Sequence, residues 1–174
     1  MARTTLAAAA LVASCAAAQS MELTSSDFRD GTTLSLAQVN SRCGGENRSP
    51  ALAWSGAPAG TKSFALTLFD PDARGGRGFW HWVMVDIPAS ATGLGEGAGT
   101  GKGLPGGAVQ AANDFGEAGY GGACPPTGSG VHHYVFTLYA IRTPTAPGAR
   151  GSALAEYLKS NALATATLTG LYKR

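Results

Sequence analysis

The chain has 174 residues, of which 44% are hydrophobic, 14% are charged and 25 are glycine. This length suits one domain with its own hydrophobic core, and the apolar content excludes a disordered chain. The formal net charge is only +2, so no excess of basic residues favours nucleic acid as a partner.

The N-terminus has the layout of a secretory signal peptide. One basic residue, Arg3, precedes an apolar stretch, and alanines follow as far as Ala18. The stretch is shorter than the roughly twenty apolar residues that a transmembrane helix needs. We therefore expect a signal peptide over 1–18, one domain over 19–174, and a secreted or periplasmic product with no transmembrane segment.

A second interpretation of the same segment keeps the protein on a membrane. Residues 12–15 resemble a bacterial lipobox, in which Cys15 would become the lipid-modified first residue of a lipoprotein. Cleavage after Ala18 would instead leave two cysteines, Cys43 and Cys124. In an oxidising compartment we expect these two to form a disulfide, with two buried free thiols as the alternative.

Short apolar runs with a period of two, each bounded by Gly, Pro, Asn or Asp, predict half-buried antiparallel strands. These runs cover 51–55, 63–70, 79–87, 133–141 and 163–171. Near the C-terminus, Ser152 could cap a run that places Leu154, Tyr157 and Leu158 on one helical face. The chain is therefore predicted to be mainly β, with one short C-terminal helix. Between these elements, the glycine-rich stretches 93–107 and 113–130 are predicted to be long loops of the kind that build sites.

Polar side chains fall near the ends of apolar strand faces. Strict alternation along 79–87 predicts one face that carries His81 with Phe79, Val83, Val85 and Ile87. Its tryptophans and Met84 would then face the other way.

The same alternation groups polar residues on two further strands. His132 and Tyr134 point together, whereas His133 points away. Asp70 shares a face with Leu66 and Leu68, and Asp72 follows after a proline. Singly, an inward His is more often a core residue with one hydrogen bond, and Asp-Pro-Asp is often only a turn. Together, these groups predict a small-molecule pocket.

The segments that carry these residues resemble the signature motifs of the phosphatidylethanolamine-binding protein family, in the same order and over nearly the whole mature chain. They are Asp70-Pro71-Asp72-Ala73, Trp80-His81-Trp82, and Pro125-Pro126-Thr127-Gly128 followed by His132-His133-Tyr134. Ser49-Pro50-Ala51-Leu52 and Asn113-Asp114-Phe115-Gly116 look like the bacterial, Raf kinase inhibitor-like branch.

The resemblance implies a Greek-key antiparallel β-sandwich with a small pocket for phosphate-like or carboxylate groups. The ligand-binding residues that it implies are Asp70, Asp72, His81, Pro125, His132 and Tyr134. Two positions depart from the family pattern: Arg74 stands where a second proline is usual, and His133 where arginine is usual.

We therefore expect a secreted or periplasmic protein that binds a small anion such as phosphate or a phosphorylated head group, and that is not an enzyme. It should need no cofactor and no metal, because no metal-ligand spacing is present. The alternative is a protein-interaction module that inhibits a protease or kinase. A hydrolase is disfavoured because Ser129 lies in no G-x-S-x-G motif.

Overall fold

The computed structural model describes residues 20–144 and 151–174. The predicted signal peptide, Cys15 and the side chain of Ser152 lie outside what it describes. The strands in these two ranges are Glu22–Thr24 (β1), Thr32–Thr33 (β2), Leu52–Ser55 (β3), Ser63–Asp70 (β4), Phe79–Pro88 (β5), Gly93–Leu94 (β6), Val109–Ala111 (β7), His132–Ile141 (β8) and Ala162–Tyr172 (β9). Gly151–Asn161 forms the C-terminal helix, α1.

The strands form two sheets. The larger has the order β2-β9-β8-β4-β5-β7, and the smaller has the order β1-β3-β6. All pairings are antiparallel except that of β2 with β9, which is parallel. The prediction of a mainly β fold with one C-terminal helix is confirmed, and each of the five predicted strands is present to within one residue at either end. The Greek-key connection stays a prediction.

The central strands of the larger sheet are buried on both faces. One face packs against the smaller sheet, with Phe136 and Leu138 of β8 in the same core as Leu52 and Trp54 of β3. On the other face, Leu154 and Leu158 of α1 pack against a second cluster that includes Ala65. This second layer explains why the β4 sequence is apolar almost throughout.

The prediction that alternate residues of β5, from Phe79 to Ile87, share one face is wrong. Two irregularities shift the register of β5 against β4. They lie between Phe64 and Leu66 and between Leu68 and Phe69 on β4. A bulge of this kind places an extra residue in one strand and reverses which side chains face the core beyond it. Val83 and Val85 consequently pack in the α1 cluster, whereas Trp82, Met84 and Ile87 enter the core between the sheets.

His81 occupies one of these irregularities. Trp80 pairs with Phe69 and Trp82 pairs with Leu68, which leaves His81 as the extra residue between them. The bulge thus aims His81 toward Tyr134 of β8, with ring centroids 5.1 Å apart. A break in the strand pattern therefore positions a side chain of the candidate site.

Candidate functional site

A cavity of about 720 Å³ opens where β4 ends and β8 begins. The adjoining loops 71–75 and 124–131 complete its wall, and Phe79 and Phe115 supply aromatic rings. All of the residues predicted to bind a ligand line this cavity: Asp70, Asp72, His81, Pro125, His132 and Tyr134. The structure thus brings together side chains from three strands and two loops.

A buried His–Asp pair forms the base of the cavity. Nδ1 of His132 lies 2.7 Å from Oδ2 of Asp70, and the two side chains are only 5% and 3% exposed. The other carboxylate oxygen of Asp70 accepts from the backbone amides of Asp72 and Ala73 at 2.9 and 3.2 Å. The Asp-Pro-Asp segment is therefore a turn, which is the common role of this motif. The same turn also holds the Asp70 carboxylate against His132.

A second His–Asp pair lies at the exposed edge. Oδ2 of Asp72 accepts from the backbone amide of His133 at 2.8 Å and from its Nδ1 at 2.9 Å. Partial burial by itself would raise the pKa of Asp72, but the hydrogen bonds from His133 outweigh it and hold the pKa below its ordinary value. His133 is half exposed and turns away from the cavity, as strand alternation predicted.

The surroundings of His81 favour its neutral form. Its Nδ1 donates to the carbonyl oxygen of Gly121 at 2.7 Å, since a carbonyl can only accept. Burial lowers the pKa of His81 below its ordinary value of 6.5, and this effect exceeds the opposing effects of the Gly121 hydrogen bond and the Asp70 charge. In the neutral form Nε2 then carries no proton and can accept a hydrogen bond.

Tyr134 presents a buried hydroxyl with no hydrogen-bond partner among the described residues. The backbone amide of Cys124 is near enough to influence it but makes no hydrogen bond of normal geometry with it. Burial, and after it the charge of Asp70, raises the pKa of Tyr134 well above its ordinary value. The hydroxyl therefore keeps its proton and is an unused donor in the cavity wall.

The predicted disulfide between Cys43 and Cys124 is present, with the two Cα atoms 5.6 Å apart. It attaches the loop that carries Pro125 to the short 3-10 turn Ser41–Cys43. Arg174 holds the same region from the C-terminus, because its guanidinium donates to Thr127 Oγ1 at 3.1 Å. The wall of the cavity is thus fixed at two points.

Arg74 was singled out in the sequence only as a departure, and its position in the cavity was not predicted. It adopts a left-handed backbone with φ of 52°, which proline could not adopt. Its guanidinium lies over the Phe79 ring at 4.5 Å and pairs with Asp114 at 3.2 Å. A cation therefore stands at the mouth of the cavity.

Ser129, Phe115 and Val131 also line the cavity and were not predicted to do so. They lie in a long glycine-rich loop without periodicity, so nothing in the sequence indicated which way their side chains point. Within 20–144 and 151–174, no cluster of three or more His, Cys, Asp or Glu side chains is placed to hold a metal ion. Over the same ranges, no helix has the length and apolar character needed to span a membrane.

A two-sheet β-sandwich with a largely apolar cavity, into which a few polar side chains converge at the ends of the central strands, defines a class of small-molecule-binding protein. Residues 24–173 match the family model described as phosphatidylethanolamine-binding protein. The chain belongs to this family.

Relatives and a solved structure agree with this placement. The UPF0098 protein YbcL of Escherichia coli is 46% identical over 171 residues, covering 94% of this chain and 93% of YbcL. YbhB of the same organism is 43% identical over 158 residues, covering 87% and 99%. The crystal structure of YbcL, described as a new member of the mammalian PEBP family, superposes with a TM-score of 0.83 at 48% identity, covering 88% of this chain and 98% of that one.

Proposed function

We propose that the cavity binds a small anion, namely phosphate or the phosphate of a phosphorylated head group, and that the domain acts as an exported, Raf kinase inhibitor-like binding protein. Binding of this kind requires no nucleophile and no cofactor.

The observation that carries the proposal is the unpartnered hydroxyl of Tyr134. Leaving a buried donor without an acceptor costs about 1–3 kcal/mol. Tyr134 lines a cavity large enough for a small ligand, and an oxygen of an anion bound against the buried hydroxyl would accept its hydrogen bond. The fold thus keeps a donor that a ligand could use.

The protonation of His81 selects among anions. Because Nε2 of the neutral ring accepts, a phosphate or phosphate monoester that retains one proton could donate to it. The same ligand could accept from Tyr134 through another oxygen. A fully ionised anion would instead need His81 to take up a proton, so its binding should strengthen as the pH falls.

Charged groups at the mouth match a zwitterionic head group. Asp72 and Arg74 both line the cavity, with side chains 39% and 47% exposed. The carboxylate suits an ammonium group and the guanidinium suits a phosphate. Phosphoethanolamine combines both charges in one small molecule.

Calorimetric titration with three compounds tests the proposal. Phosphate and phosphoethanolamine should bind, and ethanolamine, which has no phosphate, should not. Raising the pH from 5.5 to 8 removes the last proton of the phosphoethanolamine phosphate and should weaken its binding. Inorganic phosphate keeps one proton over this range, so its binding should weaken less. If neither phosphate compound binds at millimolar concentration, or if ethanolamine binds equally well, the proposed ligand class is wrong.

Export is the second part of the proposal. A Mycobacterium tuberculosis relative, LppC, is 39% identical over 161 residues, covering 90% of this chain, and bears the name of a candidate lipoprotein. For this chain, we expect cleavage after Ala18. The intact mass of the mature protein from an exporting host distinguishes an N-terminal Gln19 from a lipid-modified Cys15, and an uncleaved cytoplasmic product would contradict both routes.

A further inference from the structure

A hydroxyl completes a chain of three side chains at the cavity. Ser129 Oγ lies 3.0 Å from Nε2 of His132, and the other nitrogen of that ring lies 2.7 Å from Asp70. A serine, an imidazole and a carboxylate joined in this order form the arrangement that activates serine nucleophiles on several unrelated folds.

The hydrogen bonds of Asp70 determine which atoms donate and which accept in this series of three side chains. One carboxylate oxygen already accepts from two backbone amides, and the other faces His132. An ionised carboxylate can only accept, so Nδ1 of His132 carries a proton. In the neutral ring Nε2 is then a lone-pair acceptor, directed at Ser129. Asp70 thus fixes His132 in the tautomer that a general base requires, with the proton on Nδ1 and the lone pair on Nε2.

Accessibility also suits a nucleophile. His132 and Asp70 are buried, whereas Ser129 is exposed and lines the cavity. A substrate could therefore reach the oxygen without displacing the pair behind it. Ser129 lacks the G-x-S-x-G motif, but that motif marks one hydrolase fold, whereas this constellation is recognised by its geometry.

We infer that Ser129 is a nucleophile activated by His132, and that the cavity can hydrolyse small carboxylic esters. Oγ bonds to the ester carbonyl carbon while its proton passes to Nε2. The carbon–oxygen bond to the leaving group then breaks, and His132 returns the proton to the departing alcohol. Water attacks the acyl-serine with His132 as base, which releases the carboxylic acid and restores Ser129.

Turnover should be slow, because Ser129 Oγ has a second hydrogen-bond partner. The Ser129 hydroxyl also donates to the carbonyl oxygen of Pro126 at 2.7 Å, so this carbonyl competes with Nε2 of His132 for its one proton. An irreversible probe is accordingly a more sensitive readout than turnover. A fluorophosphonate forms a P–O bond to an activated serine and expels fluoride, so that one event per molecule is sufficient.

The experiment incubates the full chain with a fluorophosphonate and locates the adduct by peptide mass spectrometry. The wild-type protein should be labelled at Ser129, and Ser129→Ala should not be labelled. His132→Gln should slow labelling by on the order of 100-fold, which is a typical contribution of a general base. Ser26→Ala is the matched control, because Ser26 is exposed but does not line the cavity. This variant should be labelled as the wild type is.

Asp70→Asn tests the positioning role separately. An amide nitrogen facing Nδ1 would favour the opposite tautomer, with the proton on Nε2, so labelling should slow although Ser129 and His132 are both present. Thermal unfolding of each variant establishes that it is folded. Hydrolysis of p-nitrophenyl acetate should follow the same order of rates.

The inference is overturned if native protein takes up no label, if the label is on another residue, or if His132→Gln labels as fast as the wild type. Added phosphate separates this inference from the proposed function. Protection by phosphate supports both, whereas labelling of Ser129 without protection supports the nucleophile and contradicts a phosphate site in the same cavity.

Discussion

His132 and Asp70, 62 residues apart in the chain, form a buried hydrogen-bonded pair that joins β8 to the end of β4. The neighbouring residues His133 and Asp72 form a pair of similar length, 2.9 Å, at the exposed edge. The two pairs use the same chemical groups on the same two segments, so they differ mainly in burial.

This contrast predicts different costs for removing each histidine. His132→Ala would leave the Asp70 carboxylate buried without its side-chain partner, and should lower the free energy of unfolding by about 2–4 kcal/mol. His133→Ala breaks an exposed pair and should cost no more than about 1 kcal/mol. Urea unfolding of both variants at pH 7.5 measures the difference, and equal losses would mean that burial does not decide the strength of these pairs.

The lowered pKa of His81 predicts a loss of stability in acid. In the unfolded chain His81 takes up a proton near its ordinary pKa of 6.5, whereas in the folded protein it does so at lower pH. Between these two values the unfolded state binds more protons, so stability falls as the pH drops below about 6.5, by at most about 1.4 kcal/mol per pH unit.

Comparison with His81→Gln isolates this contribution, because glutamine does not titrate. Unfolding free energies at pH 7.5 and 5.5 should show a larger acid-induced loss for the wild type than for the variant. Gly106→Ala, which changes no titratable group and would place its Cβ in open space, is the control and should keep the wild-type pH dependence. The account of His81 is contradicted if His81→Gln loses as much stability in acid as the wild type.

Gly122 should tolerate no side chain, because it lies directly against the backbone of residues 38–40. A Cβ atom there would overlap the carbonyl oxygen of Gln38 and the amide nitrogen of Asn40. Gly122→Ala should therefore destabilise the protein by about 2–3 kcal/mol. Gly106, where a Cβ would meet no atom within 4 Å, is the matched control, and Gly106→Ala should change stability by less than about 1 kcal/mol in the same thermal-unfolding assay.

Strand alternation predicted β8 correctly and β5 incorrectly, and the difference has a physical cause. The β8 ladder runs in register from His132 to Ala140 against its neighbour β9, so a period of two places His132 and Tyr134 on the cavity side. In β5 the two bulges break that period, and a bulge depends on the pairing partner rather than on the strand's own sequence. The position of His81 was nevertheless indicated by the family motif around it.

The positions of the loop residues in the cavity could not be predicted from periodicity, for a different reason. Ser129 and Arg74 reach the cavity because long-range contacts hold their loops, namely the disulfide of Cys124 and the pairing of Arg74 with Asp114. Contacts between residues 40 or more positions apart leave no local pattern in the sequence. Site residues on strands can therefore be predicted from the sequence more readily than site residues on loops.

Tyr134→Phe tests the central claim most directly, because it removes only the unpartnered hydroxyl. Binding of phosphoethanolamine by calorimetry should weaken by about 10-fold or more, the equivalent of one hydrogen bond to a charged group. Stability without ligand should stay the same or rise, since no hydrogen bond is lost. Tyr139→Phe, on the opposite face of β8, should leave the affinity unchanged. If Tyr134→Phe binds the ligand as tightly as the wild type, the hydroxyl does not contact it and the proposed site is wrong.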